Sequence, residues 1–449
     1  MTTTATVMDR RAASSMSKRN EATEEDETVV CLPSEDEPPV LMTTTSGSRS
    51  NLCDRARRLP WAVIRMAALG MLLLSLICAC IIFETIRANR LRRYRVDGIL
   101  IHSDNEFAHH MAIVNAVNAQ NSTWTARYNK FASSSRYEDP DQSSHYHAMP
   151  EHDDVEEMHD SLDETSRKHI ITLKDSKQPV PVSFDARQHW PLCWTVHQVP
   201  NQGGCGSCWA AAATSVMSDR ICIHSGGKWQ PQISAQDLTS CCVSCGGCQG
   251  SHLAIAAFNY WKEVGIVTGG PFGSYEGCRP YEISPDCGTP CSTMYYREHR
   301  TGECNRECQA LYSKQYDDDQ FFAESAYWIR ADRDPHETKV QDAINVLLRN
   351  ESIETIIKRE IFLHGPILAC FTVFEDFQHY HSGIYKRRIG GYELYGHCAK
   401  LMGWGVENGT AYWLYMNTWG RNWGENGFFR VNIAETPEEI VAGLTRIGK

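Results

Sequence analysis

A chain of 449 residues has room for one domain of about 200 to 250 residues with accessory segments to spare. Its net charge of −11 excludes a nucleic-acid binder, because no basic stripe occurs outside the Arg-rich flanks of one apolar segment. Fifteen of its nineteen cysteines follow that segment, thirteen of them between Cys193 and Cys308, a density that belongs to an oxidising compartment.

Residues 1–60 are Ser/Thr-rich with acidic blocks such as EATEEDE and PSEDEPP, the composition of a solvated, disordered tail. Residues 61–84 contain MAALGMLLLSLICACIIF, Met66 to Phe83, long enough to span a bilayer once. A cleaved secretory signal is the competing reading, but some sixty polar residues precede the run, far more than an ordinary signal's charged region holds. Arginines flank both sides and do not orient the span. The sequons at Asn121, Asn350 and Asn408 and the cysteine density all lie after it. These place the tail in the cytosol and the remainder in the secretory or endolysosomal lumen, as a single-pass type II membrane protein that processing can release.

Residues 85–179 read as a linker and pro-segment with a helical patch, FAHHMAIVNAVNAQ, followed by an acid- and histidine-rich run from Glu138 to Glu164. That run holds His145, His147, His152 and His159, and their protonation between about pH 7 and 5 would offset part of its negative charge. From residue 180 the composition turns to Trp, Gly and Cys, and residues 180–449 form the expected compact domain. Its first half is helical: four alanines favour a helix over Cys208–His224, stopped by Gly226-Gly227. Its second half reads as strands, PILACFTVF, AKLMGWGV and TAYWLYMNTW, separated by Gly and Asn turns.

The segment NQGGCGSCWAAAA admits three chemistries at Cys205 and Cys208: a metal knuckle, a structural disulfide, or a nucleophile. A zinc site lacks a matching His pair, so no metal and no cofactor is expected. A nucleophile needs a stabilised thiolate and a nearby base, and a helix that starts at Cys208 turns its positive end toward that sulfur. CGSCW also matches the full signature C-G-[SA]-C-[WY].

On that motif, with VPVSFDARQHWPLC, GCRPY and VENGTAYW, the chain resembles the papain family of cysteine proteases, in particular its cathepsin B branch. VNAVNAQNSTWTARYNKF resembles the branch's pro-segment. The resemblance implies a two-lobed α+β fold, a helical lobe against a β-barrel-like lobe with the active site in the cleft between them. It implies an endopeptidase made as a zymogen and acting on polypeptides, a monomer held by its pro-segment or by cystatin-type inhibitors. Carried over by motif, Cys208 is the nucleophile, His397 in YGHCAK the base, and Asn417 in MNTWG its orienting partner, with Trp419 shielding the pair. Gln202 and the Cys208 N–H form the oxyanion hole. The 189 residues from Cys208 to His397 exceed the roughly 130 to 150 usual for the signature. Expansion of the Cys-rich region and a charged insertion near residues 332–350 account for the excess.

The same resemblance implies the bridges Cys193–Cys222, Cys205–Cys248, Cys241–Cys304, Cys242–Cys245, Cys278–Cys308 and Cys287–Cys291. It assigns Gly250 and Ser251 to the turn that binds the substrate backbone. Cys370, Cys398 and Glu439 fall to the pocket for the second residue before the scissile bond. Cys370 and Cys398 stand where the branch has alanines, and two states stay open for them, an extra bridge or two buried thiols. The occluding-loop interval Cys287-Gly-Thr-Pro-Cys291 lacks the paired histidines that grip a C-terminal carboxylate, and His299 lies in a different interval, so little dipeptidyl carboxypeptidase activity is expected. The rival class is a non-catalytic homologue that binds peptides or protein partners on the same fold; it predicts loss of the nucleophile, the histidine or the glutamine, and all three stand.

Overall fold

Among the described residues, helices dominate up to residue 263 and strands from residue 323. The computed structural model describes residues 69–71, 73–81, 95–96, 99–100, 106–129, 132, 162–251, 253–285, 301–332, 338–349, 351–387 and 393–446. Residues 69–71 and 73–81 are helical with exposed apolar side chains, and among the described residues no helix is long and apolar enough to cross a membrane. The expected span Met66–Phe83 lies partly outside the described residues, as do the Glu138–Glu164 run except for its last three residues, Asn350, Cys287, Cys291 and His299.

A short antiparallel pair, β1 (Arg95–Val96) with β2 (Ile99–Leu100), precedes helix α1 (Glu106–Ala119) and strand β3 (Trp124–Ala126). Helix α2 (Glu164–Asp175) was not anticipated, because its polar sequence ETSRKHIITLKD reads as linker. Asp163 caps it by accepting from Ser166 N at 2.9 Å, and Ile170 and Leu173, three apart on one face, are fully buried. Strand β4 (Phe184–Asp185) and helix α3 (Ala186–His189) follow, then α4 (Cys208–His224), α5 (Ala235–Cys241) and α6 (Ile255–Glu263). Helix α4 is buried on every side for most of its length, which is why its sequence is apolar without a stripe.

The second half builds β5 (Ala323–Ala331), α7 (Thr338–Leu348), α8 (Ile353–His364), β6 (Ile367–Phe374), β7 (Tyr380–Tyr385), β8 (Glu393–Glu407), β9 (Thr410–Met416), β10 (Phe428–Asn432) and β11 (Glu439–Thr445). Among the described residues the strands run in the order β3-β7-β10-β9-β8-β6-β11-β5, and β4 adds to β8. All neighbours are antiparallel except β7 with β10. The stretch read as a charged insertion holds α7, whose Val340, Ile344 and Leu348 are buried at four-residue spacing while the helix packs on α2 and β5.

Residues before 180 belong to this packing. Ile113, Val117, Trp124, Ile170 and Leu173 share one buried cluster with α4 and the sheet. Strand β3 lies against β7, opposite Gly383, whose φ of +96° and 2.4 Å gap between a notional Cβ and Thr123 O admit no side chain.

Two buried ion pairs tie α4 to the β half. Lys400 of β8 donates to Asp219 at 2.7 Å. Arg220 spends all five guanidinium protons: on Glu360 (2.7 Å), Tyr327 (2.9 Å), Pro366 O (2.8 Å), Gly365 O (3.1 Å) and Gly443 O (3.1 Å). Glu360 also meets His169 of α2 at 2.7 Å. Arg220 and Glu360 have no solvent exposure, so removing one leaves a charge without its counter-ion. Glu360→Ala is therefore expected to cost about 3–5 kcal/mol in denaturant unfolding, and substituting both partners by apolar residues to cost less than the single change. A loss under about 1 kcal/mol for the single change would show that water solvates the guanidinium.

Candidate active site

The loop that leads into α4 is held on both sides. Cys205 is bridged to Cys248, and Gly206 N donates to Cys248 O at 2.9 Å, an approach that leaves 2.5 Å between that oxygen and a notional Cβ on Gly206. Tyr281 OH donates to Gln202 O at 2.8 Å, a carbonyl that can only accept, so the Ser207 hydroxyl at 2.7 Å donates to Tyr281. Cys208 then opens α4 as a cysteine outside any disulfide, 9% exposed. The positive end of the helix favours its thiolate.

His397 lies on β8, against which α4 packs. Its Nε2 is 2.7 Å from Asn417 Oδ1. The identity of that amide atom is decided by Thr418, whose backbone N–H points to it at 2.8 Å and cannot accept. It is therefore the oxygen, so His397 Nε2 is the donor and Nδ1 carries the lone pair of the neutral ring. The Asn417 Nδ2 finds no partner among the described residues, yet a flipped amide would set N–H against N–H. Trp419 covers the ring at 4.7 Å between centroids, and Phe371 meets it edge-on at 5.7 Å. Burial pushes the imidazole down to about 4, against the Asn417 hydrogen bond, which favours the protonated ring.

The dipeptide that orients His397 also orients Gln202. Thr418 Oγ1 donates to Gln202 Oε1 at 2.6 Å, and Gln202 N donates to Thr418 O at 2.9 Å. With its oxygen so occupied, Gln202 turns Nε2 toward Cys205 O at 2.9 Å, using one of two protons. Thr418 and Tyr281 are braces that sequence reasoning did not assign. Both sit inside motifs it quoted, MNTWG and GCRPY, but their partners lie far away in sequence.

The structure forms the bridges Cys193–Cys222, Cys205–Cys248, Cys241–Cys304, Cys242–Cys245 and Cys278–Cys308. Cys370 and Cys398, directly opposed on β6 and β8, form one more. Glu439 of β11 lies across from Cys370 on the other side of β6 and is wholly buried. It accepts from Ala254 N at 2.9 Å and from Trp328 Nε1 at 3.4 Å. Gly250, at φ +99°, precedes Ser251, whose hydroxyl donates to Leu253 O. Asn121 and Asn408 are exposed. Among the described residues, one cluster has metal-ligating side chains close enough to share an ion: His169, Glu360 and His364. Its carboxylate is already occupied by Arg220, Tyr327 and His169.

The family model for papain family cysteine proteases matches residues 180–442. The chain belongs to the papain family. It is 41% identical over 278 residues to cathepsin B-like cysteine proteinase 3 of Caenorhabditis elegans, covering 60% of this chain and 68% of the relative. It is 38% identical over 293 residues to a cathepsin B-like cysteine proteinase of Schistosoma japonicum, covering 63% and 78%. Among solved structures it resembles procathepsin B S9 of Trypanosoma congolense, with a TM-score of 0.53 and 25% identity over 77% of this chain and 99% of that one. The fold is the papain-like α+β fold, and the enzyme is a cysteine-type peptidase of cathepsin B-like kind.

The Cys370–Cys398 bridge closes 28 residues of sequence separation beside His397. Non-reducing peptide mapping is expected to recover a Cys370–Cys398 cross-linked peptide, and replacing both cysteines by alanine to cost about 3 kcal/mol of stability. Alkylation of both thiols without prior reduction would contradict the bridge.

Proposed function

We propose that this papain-family enzyme cleaves internal peptide bonds through Cys208, His397, Asn417 and Gln202. The supporting observation is the Thr418-fixed amide of Asn417, which leaves His397 Nδ1 as the basic nitrogen. Transfer of the Cys208 proton to Nδ1 gives a thiolate and an imidazolium, and the negative sulfur counters the burial that otherwise keeps the ring neutral. The thiolate attacks the scissile carbonyl carbon, and the oxyanion is met by the Cys208 N–H and the remaining Gln202 amide proton. Nδ1–H protonates the leaving amine, and the acyl group stays on sulfur as a thioester. Water then gives a proton to Nδ1 and its oxygen to the acyl carbon, which releases the product acid and restores the thiol.

Substrate side chains entering beside β6 and β8 meet Glu439, with the Cys370–Cys398 bridge as an added apolar wall and Gly250-Ser251 carrying the substrate backbone. A buried carboxylate there selects arginine as well as accepting apolar side chains. The interval Cys287–Cys291, without paired histidines, supports endopeptidase over dipeptidyl carboxypeptidase action. Residues 106–129 are read as an inhibitory pro-segment: they contain most of the stretch VNAVNAQNSTWTARYNKF that resembles the branch's pro-segment, and the chain as a whole resembles a procathepsin. The apolar run Met66–Phe83 supports a type II anchor with the peptidase in the secretory or endolysosomal lumen, and exposed Asn121 and Asn408 support glycosylation there.

Cys208→Ala and His397→Ala are each expected to abolish hydrolysis of quenched peptides and labelling by an epoxide thiol probe, while Asn417→Ala retains a weakened activity, because nucleophile and base act as a unit and the amide only orients. Robust turnover by Cys208→Ala would sink this mechanism. Glu439→Ala is expected to lower kcat/KM for arginine substrates by about 1–3 kcal/mol and leave phenylalanine substrates little changed. Equal losses for both would remove Glu439 from the pocket.

A further inference from the structure

Helix α2 lies between two stretches that already have a reading. The pro-segment resemblance stops at Phe131 and the family match starts at residue 180, so neither covers residues 162–175. Residues 106–129 and α2 also attach to opposite ends of the sheet: β3 adds to β7 at one end, and α2 packs on β5 at the other.

Polar contacts hold α2 at both ends and apolar ones along its length. Near its N-terminus Ser166 Oγ donates to Asp163 and accepts from Trp328 N at 3.0 Å, which occupies an N–H of β5, the last strand of the sheet. At its C-terminus Arg359 Nη1 of α8 donates to Leu173 O and Lys174 O, both at 3.1 Å, two carbonyls that a helix end leaves without an intrahelical partner. Between the ends, Ile170 and Leu173 have no exposure, and His169 stacks on Tyr327 at 3.8 Å between ring centroids.

Two features tie α2 to groups that cannot spare it. His169 Nε2 meets Glu360 Oε2 at 2.7 Å, while Glu360 Oε1 accepts from Arg220 and Tyr327, each at 2.7 Å. Arg220 and Glu360 have no solvent exposure, and α2 supplies the imidazole on one oxygen of that carboxylate. Loss of α2 would strip part of the cover from the ion pair that joins α4 to α8. The second feature is α7, in the stretch read as a charged insertion. It packs between α2 and β5, where Ala331 N donates to Gln341 Oε1 of α7 at 2.9 Å. Because α7 buries Val340, Ile344 and Leu348, removal of one of its two supports would turn apolar surface toward water.

We propose that α2 is a permanent part of the active peptidase rather than a removable part of the pro-segment. The cleavage that frees residues 106–129 falls on the N-terminal side of α2, and α2 goes on covering Glu360 and supporting α7 in the matured enzyme. That cleavage is hydrolysis of one peptide bond, in which water supplies the hydroxyl of the new carboxyl group and a hydrogen of the new amine. The cleavage rests on the pro-segment reading above; the place of α2 in the active enzyme does not. The peptidase unit accordingly begins at about residue 162, eighteen residues before the start of the family match.

The test starts from the full chain, matured by its own action or by added pepsin, with the active fraction labelled at Cys208 by an epoxide thiol probe. Gel filtration followed by denaturing mass spectrometry and N-terminal sequencing identifies what accompanies the labelled thiol. Residues 162–175 are expected in one copy per label, joined to the peptidase or held on it. Labelled enzyme that lacks them and keeps full activity overturns the proposal. A second measurement compares matured parent and matured Leu173→Ala in denaturant. Loss of the buried side chain is expected to raise the unfolding constant by about tenfold or more. Matured enzymes of equal stability would mean that α2 had left both, which contradicts the proposal. If Leu173→Ala yields no folded chain, the parent measurement decides by itself. An active enzyme that still carries residues 106–129 would refute the pro-segment reading and leave α2 in the active enzyme, where the proposal puts it.

Discussion

One backbone hydrogen bond, from Thr418 N–H to Asn417 Oδ1, determines the chemistry of the whole site. It fixes which end of the amide faces the imidazole, hence which ring nitrogen of His397 holds the permanent proton and which is basic. The same Thr418 ties its hydroxyl and carbonyl to Gln202, so the imidazole proposed to carry the proton and the amide proposed to meet the oxyanion are positioned by adjacent residues of one short segment. That segment follows β9, whose pairing with β8 sets it beside His397.

Such a segment positions a thiol on a separate helix only if helix and sheet hold one register. The structure secures this with buried charge. Arg220 and Asp219, consecutive on α4, reach Glu360 of α8 and Lys400 of β8, each at 2.7 Å. Lys400 lies three residues beyond His397 on the same strand, so the ion pair and the imidazole share a rigid support. Buried pairs of this kind contribute little net stability against well-packed apolar residues, but they penalise any shift that separates the partners. The Cys370–Cys398 bridge adds a covalent constraint one residue from His397.

Much of this was legible in the sequence because the signals were local. The alanine run and glycine stop mark α4, continuous apolar runs bounded by Gly and Asn turns mark β6, β8 and β9, and CGSCW marks the loop. The missed elements depend on partners far along the chain. Helix α2 carries only a narrow apolar face and reads as polar until β5 and α8 cover it; the N-cap Asp163 was the available cue. Helix α7 hides Val340, Ile344 and Leu348 among charges. No local pattern reveals that Thr418 and Tyr281 brace Gln202 and Ser207, or that Cys370 faces Cys398, since those facts depend on strand register and loop closure.

The most direct test of the account is the tautomer of His397, read by nitrogen NMR on protein labelled with 15N-histidine and assigned by comparison with His397→Gln. At pH values where the ring is neutral, Nε2 is expected to show the shift of a protonated, pyrrole-type nitrogen and Nδ1 that of a pyridine-type nitrogen, with the pattern weakened in Asn417→Ala. A neutral ring protonated at Nδ1 would contradict the account, because the nitrogen assigned to take the Cys208 proton would already carry one.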